Sequence, residues 1–152
     1  MGKIRMAALI GLMVFGLLVG TEDRTSVQTR LERFIVELKK AHPQADFDFL
    51  ELRDSRLLKD ERGLLVKLSL YEGISYCLGV LPGPGLTESS LSVSYEGSGG
   101  KPALIFSDKV GNTTYQKTFT IQKSGSYSIR LDVKGDLKKN PEWISWVLGA
   151  MY

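Results

Sequence analysis

Two periods divide the chain. From Thr25 to Ala41, apolar residues recur at helical spacing: Val27, Leu31, Phe34, Ile35 and Leu38 fall at i, i+4, i+7, i+8 and i+11. That pattern places them on one face at 3.6 residues per turn and predicts an amphipathic helix. Thr25 with Gln28 three residues later fits a capping box. Lys39 and Lys40 sit in the last turn, where cations suit the carbonyl end, and His42-Pro43 stops the helix because the residue before proline avoids helical dihedrals. Arg30, Arg33, Lys39 and Lys40 lie off the apolar face with Glu32 and Glu37 among them. This mixed sign favours a helix laid on the domain's own sheet over one held on a membrane surface.

After Pro43 the period drops to two. A strand-like run begins with Phe47, Phe49 and Leu52. Val66, Leu68 and Leu70 alternate with Lys67 and Ser69; Ile74 to Leu81 follows as the next strand-like run, after the Glu72-Gly73 turn; Leu91, Val93 and Tyr95 alternate with serines. Leu104-Ile105-Phe106 is short and apolar, and Tyr115, Phe119 and Ile121 share one parity. Tyr127, Ile129, Leu131 and Val133 form the clearest amphipathic strand, and Trp143 to Tyr152 closes the chain. Glycine-bearing turns separate these runs at Glu72-Gly73, Pro82 to Gly85, Gly97 to Gly100, Gly111-Asn112, Ser124-Gly125 and Gly135-Asp136. About eight short strands with polar outer faces and no βαβ alternation predict a mainly β, antiparallel sandwich or barrel, preceded by one α-helix.

The first residues read differently. Lys3 and Arg5 precede an uncharged run from Met6 to Val19, and charge returns at Glu22, Asp23 and Arg24. A short basic segment followed by an apolar stretch is the pattern of a secretory signal. The division expected is residues 1–21 as a signal peptide or uncleaved signal anchor, 22–43 as the helix packed on the domain, and 44–152 as the β-sandwich. The location that follows is the periplasm or the exterior of a bacterium, with a membrane association only through an uncleaved N-terminal segment.

This changes the charge arithmetic. The 152 residues carry 20 basic and 17 acidic side chains, a net charge of +3. Without Lys3 and Arg5 the basic count is 18 and the net charge +1. With no basic run interleaved with aromatics, nucleic acid is not an expected partner.

Candidate chemistry is sparse. One His and one Cys exclude multi-His and multi-Cys metal sites and any internal disulfide. His42 stands at a helix end, Cys77 lies inside an apolar strand, and no Gly-x-Ser-x-Gly occurs. Asp46 with Asp48, and Asp60-Glu61, read as solvated charges. No catalytic residue, metal or cofactor is expected, and the protein reads as a non-enzyme. Trp143 and Trp146 have opposite parity in the last strand, so a regular strand turns one of them outward. An outward Trp near Tyr152 would stack on a sugar ring or fill a partner's pocket. The candidate binding surface is therefore Trp143, Trp146 and Tyr152, with Arg30 and Arg33 of the helix.

Three segments carry a family resemblance. Leu70-Tyr71-Glu72-Gly73-Ile74-Ser75-Tyr76-Cys77 resembles a strand-Gly-x-x-Tyr entry. Leu91-Ser92-Val93-Ser94-Tyr95 is a strand with alternate apolar residues. The segment Phe119 to Leu131 joins a strand, a Ser124-Gly125 turn and a Tyr127-led strand. In this order they resemble exported bacterial β-sandwiches of the pre-peptidase C-terminal (PPC) and GOLD-like jelly-roll kind, over about Leu64 to Tyr152. The resemblance implies a jelly-roll-like sandwich. The calcium-suited Asp-x-Asp of many such domains is replaced here by Ser92-Val93-Ser94-Tyr95-Glu96. The expected function is that of an exported, non-enzymatic protein working through protein–protein contacts, as a structural or accessory component of a cell-envelope assembly. The alternative is a carbohydrate- or peptidoglycan-binding module using the terminal Trp and Tyr residues.

Overall fold

The computed structural model describes residues 22–59, 63–97, 101–134 and 137–152; the segment 1–21 read as an export signal, the Asp60-Glu61 pair and the Gly135-Asp136 turn lie outside them. The elements run in the order α1 (Arg24–Ala41), β1 (Ala45–Asp46), β2 (Arg53–Leu58), β3 (Gly63–Leu70), β4 (Ser75–Pro82), β5 (Ser89–Tyr95), β6 (Ala103–Val110), β7 (Tyr115–Thr120), β8 (Gly125–Val133) and β9 (Glu142–Met151). A 3-10 turn, Leu50–Leu52, precedes β2.

Strand pairing follows one rule. β5 pairs with β6, β4 with β7, β3 with β8 and β2 with β9, all antiparallel, as in a single nested hairpin. The additional pairs β4–β9 and β5–β8 roll that ribbon into two sheets. One holds β9, β4 and β7 in order, with β1 and β2 both on the free side of β9; the other runs β3-β8-β5-β6. This is the strand order of a jelly roll.

Alternation then sets the layers. Tyr76, Leu78 and Val80 of β4, and Ile144, Trp146, Leu148 and Ala150 of β9, point between the sheets. There they meet Leu91 and Val93 of β5 and Tyr127, Ile129 and Leu131 of β8. Cys77 and Val147 point the other way, under α1, with Leu31, Phe34, Ile35 and Leu38. β4 and β9 are therefore covered on both faces, which is why their sequences are nearly unbroken apolar runs. Glycines let side chains approach this face of the sheet closely. A Cβ on Gly79 would stand 2.6 Å from Leu38 Cδ1, and one on Gly149 2.5 Å from the Phe47 ring.

The structure corrects several local expectations. The helix N-cap is Asp23, whose side chain accepts from the Ser26 N–H at 2.7 Å, so Thr25 and Gln28 do not form the capping box. Phe47, Phe49 and Leu52 do not form a strand: Phe47 is a fully buried wedge beside Gly149, and the chain pairs only at Ala45–Asp46 and again at Arg53–Leu58. β2 escaped notice because Arg53, Asp54, Ser55 and Arg56 obscure any apolar alternation. The strand is half-exposed and lies beside β9 at the sheet edge. In β6 a bulge opposite Val93 and Ser94 turns Leu104 out to solvent, 62% exposed, and leaves Phe106 as the inward residue.

Gly79→Val drives methyl groups into Leu38 and Phe34, and overpacking of this kind costs about 1–3 kcal/mol. A lowered urea midpoint is expected. Gly111→Ala, at a position with open space, is the control and should leave the midpoint nearly unchanged.

Candidate functional site

A two-sheet sandwich has two seams where edge strands face each other. The seam between β6 and β7 is closed by polar contacts. Asp108 of β6 accepts hydrogen bonds from the Tyr115 hydroxyl and, at 3.0 Å, from Lys117 Nζ. Lys117 Nζ also lies 4.5 Å from the centre of the Phe106 ring. These bonds hold the Asp108 carboxyl below its ordinary pKa. Burial and the Asp108 bond push the Tyr115 phenol far above its own.

The opposite seam is open. Between β3 and the 3-10 turn before β2 lies a cleft of about 510 Å³. Leu70, Tyr76 and Ala150 form its buried floor. Phe49, Tyr71 and Tyr152 provide aromatic walls, with Glu51, Lys67 and Ser69 at the polar positions. Tyr71 is 58% exposed and Tyr152 86% exposed. A tight turn positions Tyr71: the Ile74 N–H donates to the Tyr71 carbonyl at 3.2 Å, and Gly73 supplies the positive φ of +79°. The turn is tied across the sandwich by Gly73 N–H to the Ile121 carbonyl and by Glu72 N–H to Ser124 Oγ. The Tyr71 N–H donates to the Tyr76 hydroxyl, whose pKa burial raises.

The sequence-chosen surface is not one surface. Trp146 is buried in the sandwich core, 4% exposed, and cannot present a face to a ligand. Its inward parity explains this. Trp143 lies on the other face of β9, half-buried, and its Nε1 donates to the Glu22 carbonyl at 2.8 Å. Arg30 joins it there, pairing with Glu22 at 2.6 Å. The Glu142 carboxyl completes this group by accepting from the Gly85 N–H. Arg33 is exposed on α1. Tyr152 is nine residues from Trp143 along an extended strand, about 30 Å away at ~3.3 Å per residue. The structure thus brings Trp143 and Arg30 together, buries Trp146, and sets Tyr152 at the cleft. Tyr71 and Phe49 were missed. The signal for Tyr71 was an aromatic immediately before a Glu-Gly turn, where a core residue has no reason to stand.

Other candidate groups are occupied structurally. His42 caps the helix and shares a hydrogen bond with Gln116 at 3.0 Å. Cys77 is fully buried, and burial raises its thiol pKa. Asp46 accepts from the Asp48 N–H, and Asp48 pairs with Lys39. Among the described residues, no group of three or more His, Cys, Asp or Glu is arranged to hold a metal. No helix among them is long and apolar enough to cross a membrane.

No protein-family model and no curated protein matches the chain. Solved structures match it in shape. The pre-peptidase C-terminal domain of a collagenase from Bacillus anthracis is similar at TM-score 0.49 and 9% identity, over 63% of this chain and 86% of that one. CorA of Methylomicrobium album BG8, a surface-associated copper-binding protein, is similar at TM-score 0.47 and 9% identity, over 68% of this chain and 96% of its own. PliG of Aeromonas hydrophila, a periplasmic lysozyme inhibitor, gives TM-score 0.41 and 15% identity, over 63% and 83%. A pre-peptidase C-terminal domain, the kind of domain the sequence resembles, is among these structures of similar shape.

Burial, with the nearby Glu22 carboxylate, raises the Glu142 carboxyl above its ordinary pKa, against the Gly85 bond and the Arg30 charge. The folded state therefore holds this proton to higher pH than the unfolded chain. Stability falls as pH rises from the ordinary carboxyl pKa through the raised one. Glu142→Gln keeps an acceptor for Gly85 and removes the titration. Urea unfolding should show a variant more stable than wild type at pH 7, with the gain disappearing towards pH 4.

Proposed function

We propose that this is an exported, non-enzymatic binding module that holds a protein partner in the open cleft, as an accessory component of a cell-envelope assembly. The observation that carries this reading is the cleft itself. Aromatic walls over a buried apolar floor, ringed by a few polar groups, are the composition of a recognition site. Export is supported by the basic-then-apolar N-terminal pattern. The lone His and lone Cys are both engaged in structure, which supports a role without catalysis. A second reading, a glycan ligand, is favoured by one observation: two exposed tyrosine rings stand at one mouth beside Glu51, Lys67 and Ser69. Stacking on Tyr71 and Tyr152 would replace the pairing of an outward Trp with Tyr152 expected from sequence.

Partners cross-linked to the protein in envelope fractions, identified and then purified, should bind wild type and lose at least tenfold in affinity with Tyr71→Ala. Gly111→Ala should bind like wild type. Equal binding by wild type and Tyr71→Ala removes the cleft from the reading. A response of tyrosine fluorescence to peptidoglycan fragments, with no protein bound, transfers the site to glycan.

A further inference from the structure

Lys67, Leu68, Ser69, Leu70 and Tyr71 are consecutive, and all five line the cleft. Successive side chains of a strand point to opposite faces. A cleft that touches all of them therefore runs along the edge of β3 rather than over one face.

Among the described residues that edge is unpaired, and β3 has one neighbour, β8. Across β5 and β8, the Glu96 N–H donates to the Ser126 carbonyl at 2.8 Å. Residues of an antiparallel ladder alternate in the direction of their backbone groups. Ser126, Ser128, Arg130 and Asp132 thus bond towards β5, and Tyr127, Ile129 and Leu131 bond towards β3, opposite Leu68, Val66 and Leu64. Leu65, Lys67 and Ser69 are left with N–H and C=O aimed away from the sheet. No other segment among the described residues gives them a backbone partner.

We infer that the partner docks as an added β-strand along β3, with a large apolar side chain in the cleft and an acidic side chain over Lys67; this rests on the cleft being the binding site. Strand addition to a free edge is an established recognition mode, in which main-chain bonds supply affinity and alternate pockets supply specificity. The acidic preference follows from charge. On the outer face beside this edge, Leu65 pairs with Arg130 and Lys67 with Ser128, so the two cations are diagonal neighbours. Both are exposed, and neither belongs to an ion pair among the described residues. Asp132 lies one pair further along, opposite Gly63. A residue opposite Lys67 shares its outward face, and its sequence neighbours face the cleft, so the docking segment alternates acidic and large apolar residues. A second copy of β3 is a poor occupant, because two-fold pairing centred on Lys67 sets that lysine against its own copy.

The test uses the full chain and a fluorescein-labelled, end-capped octapeptide alternating glutamate with phenylalanine, read by anisotropy. Wild type should bind it at least tenfold tighter than the same peptide with lysine for glutamate. N-methylating alternate amides of the peptide should abolish binding without touching the protein. Ser69→Pro removes an outward N–H and none of the bonds to β8, a place where an edge strand tolerates proline. It should bind at least tenfold more weakly with an unchanged melting temperature. If Ser69→Pro fails to fold, Lys67→Glu decides: the preference should invert to the lysine peptide. Unchanged binding by Ser69→Pro and by the N-methylated peptide, with loss in Tyr71→Ala, overturns strand addition while leaving the cleft as the site. No peptide binding at millimolar concentration, with a response to chitotetraose, overturns both. Sedimentation as a dimer that Lys67→Glu alters assigns the edge to a second copy and overturns the inference.

Discussion

The architecture depends on covering the central sheet from both sides. β4 and β9 bury one face in the sandwich and the other beneath α1, so neither surface can be left to water without exposing apolar side chains. The helix is thus the third layer that the sequence of β4 and β9 requires, and each of its large buried side chains contributes about 1.5–3 kcal/mol of transfer free energy. Gly79 lets that layer sit close, and Gly149 makes room for Phe47 beside it. The layer also fixes its own entrance: with α1 seated, Glu22 meets Trp143, and Arg30 turns back to hold Glu22.

Rolling a nested hairpin into two sheets leaves two seams, and this chain treats them in opposite ways. Where β6 faces β7, an inward carboxylate, a phenol and a lysine join the edges, and a bulge distorts β6; both are ordinary means of blunting an edge. Where β3 faces the 3-10 turn, no such staple joins the sheets among the described residues, and aromatic side chains surround a gap. The difference is chemical as well as geometric. The closed seam consumes its charges internally, whereas Lys67 and Glu51 at the open one remain directed at solvent.

Much of this was legible as periodicity. The helix face from Val27 to Leu38 and the alternation of β8 follow from spacing alone, because local pattern and global packing agree there. Legibility ended where tertiary context overrode the local signal. β2 carries Arg53, Asp54 and Arg56 because it is a sheet edge. Phe47 looked like a strand residue and is a wedge, since Gly149 makes room for it from a hundred residues away. The site was read least well, because Trp143 and Trp146, the most eye-catching residues, are occupied by structure. One lies in the core, and the other is held by a backbone carbonyl. Tyr71 stands at the cleft through its position on a turn, which composition does not register.

Cys77 occupies a telling place. Its thiol sits on the helix side of β4, bonded to Thr118 and roofed by α1. The helix contributes no hydrogen bond to either sheet's ladder and is held over β4 and β9 by side-chain packing. A reagent reaches Cys77 only where that packing opens. The only sulfhydryl in the chain is a native gauge of how firmly its helix is seated.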